Sequence, residues 1–308
     1  MTNVRGLVES NPQSLDPRTL AKIKGLHLRA RHIVEGYVAG LHRSPFHGFS
    51  IEFAEHREYA PGDDLRYVDW KAFGRTDKFY VKQFEDETNL ICQLVLDVSE
   101  SMSYCGPRAA LSKFEYAQAL AAALAWLVLQ QQDAVGLVTF DQQIRNRVRP
   151  SSSPSHLRQV LQVLEAATPE SRTRAGAVFH ELAEWMTKRS VVVVLSDLFD
   201  DVEVLLSGLE HFRQRHHDVI VFHVLDPQEV EFSFARPTMF QGLEALPRVV
   251  VDPRSLRRAY LREFDDFLRT VRLGCRRHGL DYQVMRTDRP LDLALSSYLS
   301  ARASRMRG

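Results

Sequence analysis

The sequence predicts an α/β protein with a doubly wound, mainly parallel sheet. Two observations indicate this fold. Short apolar runs rich in β-branched residues recur from residue 90 onward, and stretches of helical length separate them. Continuous β-branched runs are typical of strands buried on both faces, and their alternation with helices indicates crossovers between parallel strands. We therefore expect an α/β domain over residues 89–308, preceded by a smaller segment over residues 1–88.

The N-terminal segment is predicted to be a small helical and β-rich elaboration. Between residues 15 and 40, apolar side chains recur at helical spacing, with Asp16 as N-cap and Pro17 at the first helical position. The stretches FSIEFAEHREYA and KFYVKQFE then alternate like strands, around the polar turn APGDDLRYVDW.

The second segment contains six apolar runs that we interpret as strands. They are LICQLVL (90–96), AVGLVTF (134–140), VVVVL (191–195), VIVFHVL (219–225), RVVV (248–251) and LDYQVMR (280–286). The predicted helices between and around them are 113–132, 155–167, 175–189, 203–216 and 255–278, followed by a terminal helix. Ligands in such sheets bind beyond the carboxyl ends of the strands, so the residues that follow these runs are candidates for function.

Composition excludes several functions. The net charge of +1 gives no support for binding to nucleic acid or to a membrane surface. Three separated cysteines without a C-x-x-C pair indicate a reducing compartment and no zinc site. The most apolar stretch, 119–129, has about half of the ~20 residues that a bilayer span requires. Because no signal peptide is visible either, we expect a cytoplasmic protein without a membrane span.

Five oxygen-bearing side chains follow the predicted strands or precede a helix at the same edge. They are Asp97, Ser99, Ser101, Thr173 and Asp197. Carboxylates and hydroxyls are hard ligands that are poor for zinc but suit Mg²⁺, with Mn²⁺ or Ca²⁺ as alternatives. The sequence therefore predicts a magnesium site at this edge.

Other interpretations of these residues remain open. A lone D-x-S-x-S is also typical of a helix cap or turn, and Thr173 shares its loop with Thr168 and Ser171. There is no G-x-S-x-G nucleophile elbow and no P-loop, and Ser99 stands where aspartate-nucleophile phosphatases have a second Asp. We thus expect no enzyme activity, the alternative being a Mg²⁺-dependent phosphohydrolase that uses Asp97 or a metal-bound water.

Two motifs resemble known families. The D-x-S-x-S, the later threonine and the aspartate after a further strand resemble the metal-ion-dependent adhesion site (MIDAS) of von Willebrand factor A domains, which have a Rossmann-type sheet. EFAEHREYAPGDDLRYVDWKAFGRTDKFYVKQFEDE (52–87) resembles the signature of the Domain of Unknown Function 58 family, whose genes often lie near MoxR-type AAA+ ATPases. The chain differs from many A domains in having Leu198, not glycine, after the second aspartate. It also lacks the N-terminal membrane helices of many relatives.

The resemblance implies a function. We expect a non-enzymatic, Mg²⁺-dependent protein-binding module that acts as adaptor or co-chaperone of a MoxR-type AAA+ ATPase. The partner, the ATPase or its substrate, would offer a Glu or Asp carboxylate to the metal. Met102, Ser103, Tyr104 and the loop after Asp197 are expected to form the rim of the site.

Overall fold

The chain forms two compact units, residues 41–89 and the remainder. The computed structural model describes residues 16–41, 56–58, 80–82, 90–234, 238–241 and 248–291. In the smaller unit, β1 (His56–Glu58) pairs antiparallel with β2 (Tyr80–Lys82), within the two stretches predicted to be strands. The domain boundary predicted at residue 88 stays a prediction.

The helical part of the N-terminal segment consists of two helices where the sequence predicts one. These are α1 (Pro17–Lys22) and α2 (Leu26–Leu41). The Asp16 carboxylate accepts a hydrogen bond from the Arg18 N–H and caps α1 as predicted. The break falls at Gly25, whose φ of +88° lies in the left-handed region that glycine adopts readily.

The larger unit contains a six-stranded sheet in the order β10-β7-β6-β3-β4-β5. Every neighbouring pair is parallel except β4 and β5, which confirms the predicted doubly wound, mainly parallel sheet. The strands of this unit are β3 (Ile91–Asp97), β4 (Ala134–Phe140), β5 (Ile144–Ser151), β6 (Val191–Ser196), β7 (Asp218–Leu225), β8 (Thr238–Gln241), β9 (Arg248–Val251) and β10 (Asp281–Arg286).

Three strands differ from the prediction: β5 and β8 were not predicted, and β9 lies outside the main sheet. The antiparallel edge strand β5 was not predicted, because its sequence IRNRVRPS is mostly polar and its residues are mostly exposed. The run at β9 was predicted to join the main sheet, but β9 pairs antiparallel with β8 in a separate two-stranded sheet. The position beside β7 is taken instead by β10, which forms six register pairs with it.

Helices flank the main sheet, and all but the short Pro227–Glu231, which was not predicted, lie close to their predicted bounds. They are α3 (Lys113–Gln130), α4 (His156–Ala166), α5 (Ala175–Trp185), α6 (Val202–Gln214), α7 (Pro227–Glu231) and α8 (Pro253–Arg277). The apolar helix α3 is buried along most of its length, as predicted for a core helix. On the other side, Phe179 of α5 and Phe212 of α6 pack with Val194 of β6 in one apolar cluster.

The direction of winding reverses at β3, which has β4 on one side and β6 on the other. The reversal lies at the carboxyl ends of β3 and β6, a position that we call the crevice, because open α/β sheets bind ligands at such a switch point. Asp97 is the last residue of β3, and Asp197 follows the last residue of β6.

Some predictions fall outside the described residues. The polar turn at residues 60–70 and the terminal helix are among them. Within the described ranges, no helix combines the length and the apolar character that crossing a membrane requires.

Candidate metal centre

Asp97 lies fully buried at the carboxyl end of β3. Its Oδ1 accepts a hydrogen bond from the Ser99 N–H at 2.8 Å, a side-chain turn typical of aspartate at the end of a strand. Its Oδ2 accepts a bond of 2.5 Å from the hydroxyl of Ser196, the last residue of β6. The carboxylate is thus held by groups from both strands that border the crevice.

Ser99 and Ser101 lie beside this carboxylate. A short 3₁₀ turn, Glu100–Ser103, follows Ser99, and both serine side chains are buried. Their Oγ atoms are 3.1 Å apart. The alternation of residues in DVSES therefore brings two hydroxyls and one carboxylate into the same buried region.

The loop that carries Thr173 lies against this turn. The Glu100 N–H donates to the Ser171 carbonyl at 2.8 Å, and the Glu170 N–H donates to the Val98 carbonyl at 2.9 Å. Of the three hydroxyl residues in the loop, only Thr173 is buried. Thr168 bonds Glu170 at the surface, and Ser171 accepts from an exposed arginine. The loop therefore presents Thr173, rather than its neighbours, on the protein's interior side.

Asp197 is the second buried carboxylate of the crevice. Its Oδ2 accepts a hydrogen bond of 2.8 Å from the Lys113 ammonium, which also bonds Glu229 Oε1 at 2.6 Å. The next residue, Leu198, has a φ of +57°, in the left-handed region. This backbone conformation favours glycine, and the leucine noted in the sequence occupies it here.

The two carboxylates repel each other. Burial and the nearby Asp197 raise the pKa of Asp97 to about 7, although hydrogen bonds from Ser196 and Ser99 act in the opposite direction. Burial alone would lower the pKa of Lys113, but Asp197 and Glu229 hold it above its ordinary value, so the ammonium stays charged.

His223 of β7 supports the turn after β6. Burial, only partly offset by Asp197, lowers the pKa of His223 to about 4, so the ring is neutral at pH 7. Its Nε2 lies 2.8 Å from the Asp197 carbonyl oxygen, which can only accept, so Nε2 carries the proton. Nδ1 therefore accepts from the Tyr282 hydroxyl, 2.7 Å away.

The donor set fits a hard divalent cation. Carboxylate and hydroxyl oxygens are the ligands that Mg²⁺ prefers, and a divalent charge offsets repulsion between two buried carboxylates. Across the described part of the chain, no three His, Cys, Asp or Glu side chains cluster in a way that could hold a metal. Any cation here would thus depend on hydroxyls as well as on Asp97 and Asp197.

The rim differs in part from the prediction. Met102, predicted to lie on the rim, is fully buried, because the 3₁₀ turn directs it into the core. Ser103 is exposed and Tyr104 is half-buried. Phe199, in the loop after Asp197, is 36% exposed, so it can contact a partner.

Sequence reasoning missed Lys113, Glu229, Ser196 and His223. Lys113 begins a helix whose N-cap Ser112 and Glu115 form a capping box, and a lysine there is usually solvated. Its one visible signal is that it starts an otherwise apolar helix. Glu229 is 116 residues away, and only the sheet topology brings the two side chains together.

These features define an α/β protein with a polar, carboxylate-rich crevice at the switch point of its sheet. Residues 55–267 match the family described as "Protein of unknown function DUF58", and the chain belongs to that family. "Uncharacterized protein Rv1480" of Mycobacterium tuberculosis and "Uncharacterized protein Mb1516" of Mycobacterium bovis are each 28% identical over 302 residues, covering 95% of this chain and 92% of theirs.

Solved structures with a similar fold include BatB from Bacteroides thetaiotaomicron, at 16% identity and a TM-score of 0.46, covering 70% of this chain and 99% of BatB. An aerotolerance-related membrane protein from Bacteroides fragilis matches at 18% identity and a TM-score of 0.46, covering 68% and 97%. The SpRpn10 VWA domain matches at 14% identity and a TM-score of 0.32, covering 44% and 75%. The predicted family is confirmed, and the association with a MoxR-type ATPase stays a prediction.

Proposed function

We propose that this protein is a non-enzymatic, Mg²⁺-dependent protein-binding module. One observation carries the proposal: two buried carboxylates, Asp97 and Asp197, follow β3 and β6 and lie close enough for Asp197 to raise the pKa of Asp97. Of the five predicted ligands, Asp97, Ser99 and Ser101 come from one segment, and Thr173 and Asp197 come from two others.

These five residues would hold the cation, which supplies a positive centre for a carboxylate from outside. Asp97 is oriented for this by Ser99 and Ser196, and the turn after Asp197 is held by His223. A Glu or Asp of a partner would approach past the partly exposed Tyr104 and Phe199. Mg²⁺ keeps positions for water or external oxygen ligands, so one can be exchanged for a carboxylate.

The partner we propose is a MoxR-type AAA+ ATPase or its substrate, with the chain as adaptor or co-chaperone. Membership of the DUF58 family supports this choice through the family resemblance described above. A purified MoxR-type ATPase from the same genome should bind the wild type in Mg²⁺ and lose binding in EDTA, as measured by biolayer interferometry. Binding that is indifferent to EDTA would instead indicate a scaffold that does not use a metal.

Calorimetric titration with Mg²⁺ tests the site itself. Asp97→Asn and Ser101→Ala should each weaken binding at least about tenfold, because each removes a hard ligand, and tenfold corresponds to about 1.4 kcal/mol. The matched control is Ser103→Ala, two residues further on, whose hydroxyl is exposed and bonds the Glu100 carbonyl. Equal affinity in Asp97→Asn and wild type would refute the site, and phosphoester turnover lost in Asp97→Asn would favour the phosphohydrolase.

A further inference from the structure

Lys113 places a permanent positive charge inside the candidate metal centre. Its side chain is 1% exposed, and its Nζ contacts Asp197 Oδ2 at 2.8 Å and Glu229 Oε1 at 2.6 Å. The ring of Phe199 covers it, with 5.1 Å between Nζ and the ring centroid. The ammonium thus comes from the start of α3 and reaches one of the two predicted carboxylate ligands.

The ammonium offsets part of the negative charge that the crevice accumulates. Asp97, Asp197 and Glu229 supply three carboxyl groups within the same buried region, against one ammonium. A buried carboxylate without a counter-charge is strongly unfavourable, so the ion pair with Lys113 supplies the counter-charge for Asp197 when no metal is present. The same positive charge repels a divalent cation that approaches Asp197.

We propose that Lys113 is an internal counter-cation that stabilises the metal-free protein and, for the same reason, lowers its affinity for Mg²⁺. Lys113 and the metal would both bind the Asp197 carboxylate. Asp197 would therefore orient the site while only one of its oxygens binds the cation. This inference rests on the proposed function, since it concerns the same site. Lys113 is accordingly a positioning residue, and its contribution opposes that of the five ligands.

Glu229 sets how strongly Lys113 holds Asp197. Glu229 competes with Asp197 for the Lys113 ammonium. Its other oxygen, Oε2, accepts a hydrogen bond from the Asp226 N–H at 2.8 Å as part of the capping box of α7. Replacing Glu229 by glutamine keeps an acceptor for that N–H but removes the competing charge. Lys113 would then pair with Asp197 alone, and Mg²⁺ would compete less well for it.

The experiment compares Lys113→Met with Glu229→Gln, using Mg²⁺ alone as the probe. Isothermal titration calorimetry gives the Kd, and thermal unfolding gives the Tm in EDTA and in saturating Mg²⁺. We expect Lys113→Met to bind Mg²⁺ about tenfold more tightly or better, since a like charge has left a buried site. Its Tm in EDTA should fall, and its Tm rise on adding Mg²⁺ should exceed that of wild type.

Glu229→Gln should change the affinity in the opposite direction, weakening Mg²⁺ binding several-fold. The control is Arg145→Met. Arg145 bonds Asp141 and Ser171 at the half-exposed edge of the loop that carries Thr173, so its replacement should leave the Kd within about twofold of wild type. If Lys113 had a purely structural role, Lys113→Met and Glu229→Gln would both have a lower Tm, and Lys113→Met would not bind Mg²⁺ more tightly than wild type.

The outcomes separate this inference from the proposed function. If the wild type does not bind Mg²⁺, the metal site and the inference both fall. If the wild type binds and Lys113→Met binds equally or more weakly, only the inference is overturned. If Lys113→Met does not fold, Glu229→Gln decides, because an unchanged Kd in that variant also overturns it.

Discussion

Leu198 shows how a single residue combines two opposing effects. Its side chain is fully buried in the cluster between the sheet and α5, yet its φ of +57° is costly for a residue with a Cβ. Truncation to alanine should cost about 2–5 kcal/mol from lost burial. Glycine loses the same contacts but adopts positive φ without penalty, so Leu198→Gly should be about 1 kcal/mol more stable than Leu198→Ala.

Urea unfolding of both variants measures this difference. Leu205, buried near the start of α6, provides the control, because in a helix the glycine variant should be the less stable of the pair by about 1 kcal/mol. An alanine variant at Leu198 that is more stable than the glycine variant would contradict the left-handed turn.

His217 makes the protein sensitive to acid. Burial lowers the pKa of His217 below its ordinary 6.5, and its Nδ1 accepts from the Ser190 N–H. The unfolded chain therefore binds a proton more readily than the folded one, so the free energy of unfolding should decrease as pH falls below about 6.5. His217→Gln should reduce the slope of this dependence between pH 7 and pH 5, to which His223 also contributes, whereas the exposed neighbour variant His216→Asn should leave the slope unchanged. Identical slopes in all three proteins would contradict the assignment.

At the scale of elements, α5 and α6 approach closely at two glycines. A Cβ on Gly208 would lie 2.6 Å from the Gly176 carbonyl oxygen, and one on Gly176 would lie 2.6 Å from the Val204 carbonyl oxygen. Although alanine is the better helix former by about 1 kcal/mol, Gly208→Ala should destabilise the protein by about 1–3 kcal/mol, because the helices must separate. Chemical denaturation measures this, with Ser207→Ala on the exposed face as control. A stabilised Gly208→Ala would show that the helices do not meet there.

The sequence predicts an element well when the element is buried almost throughout, because its residues are then nearly all apolar. VVVVL and VIVFHVL are buried almost throughout, and their β-branched runs indicate this directly. The edge strand β5 was missed because one exposed side removes the apolar signal. The break at Gly25 was missed because the apolar spacing continues across it.

At the scale of the whole molecule, some residues of the site could be predicted from the sequence and others could not. Asp97 and Asp197 could be predicted because each follows a recognisable strand, and parallel strands end at one edge. Lys113 and Glu229 could not, because their pairing depends on how α3 and α7 pack beside the sheet. A charged residue next to an apolar helix is ambiguous until the fold shows what surrounds it.

Metal binding should therefore tie together segments that are distant in sequence while leaving the rest of the fold unchanged. The predicted ligands lie in three segments, around residues 97–103, 170–174 and 197–200, and Lys113 gives the metal-free protein its own counter-charge. EDTA should thus lower the Tm by a few degrees rather than unfold the chain, as expected for weak linkage. In hydrogen exchange, Mg²⁺ should slow the three segments, leave the edge strands β5 and β10 unchanged, and have no effect in Asp97→Asn. Uniform protection, or protection that persists in Asp97→Asn, would show that Mg²⁺ acts elsewhere on the molecule.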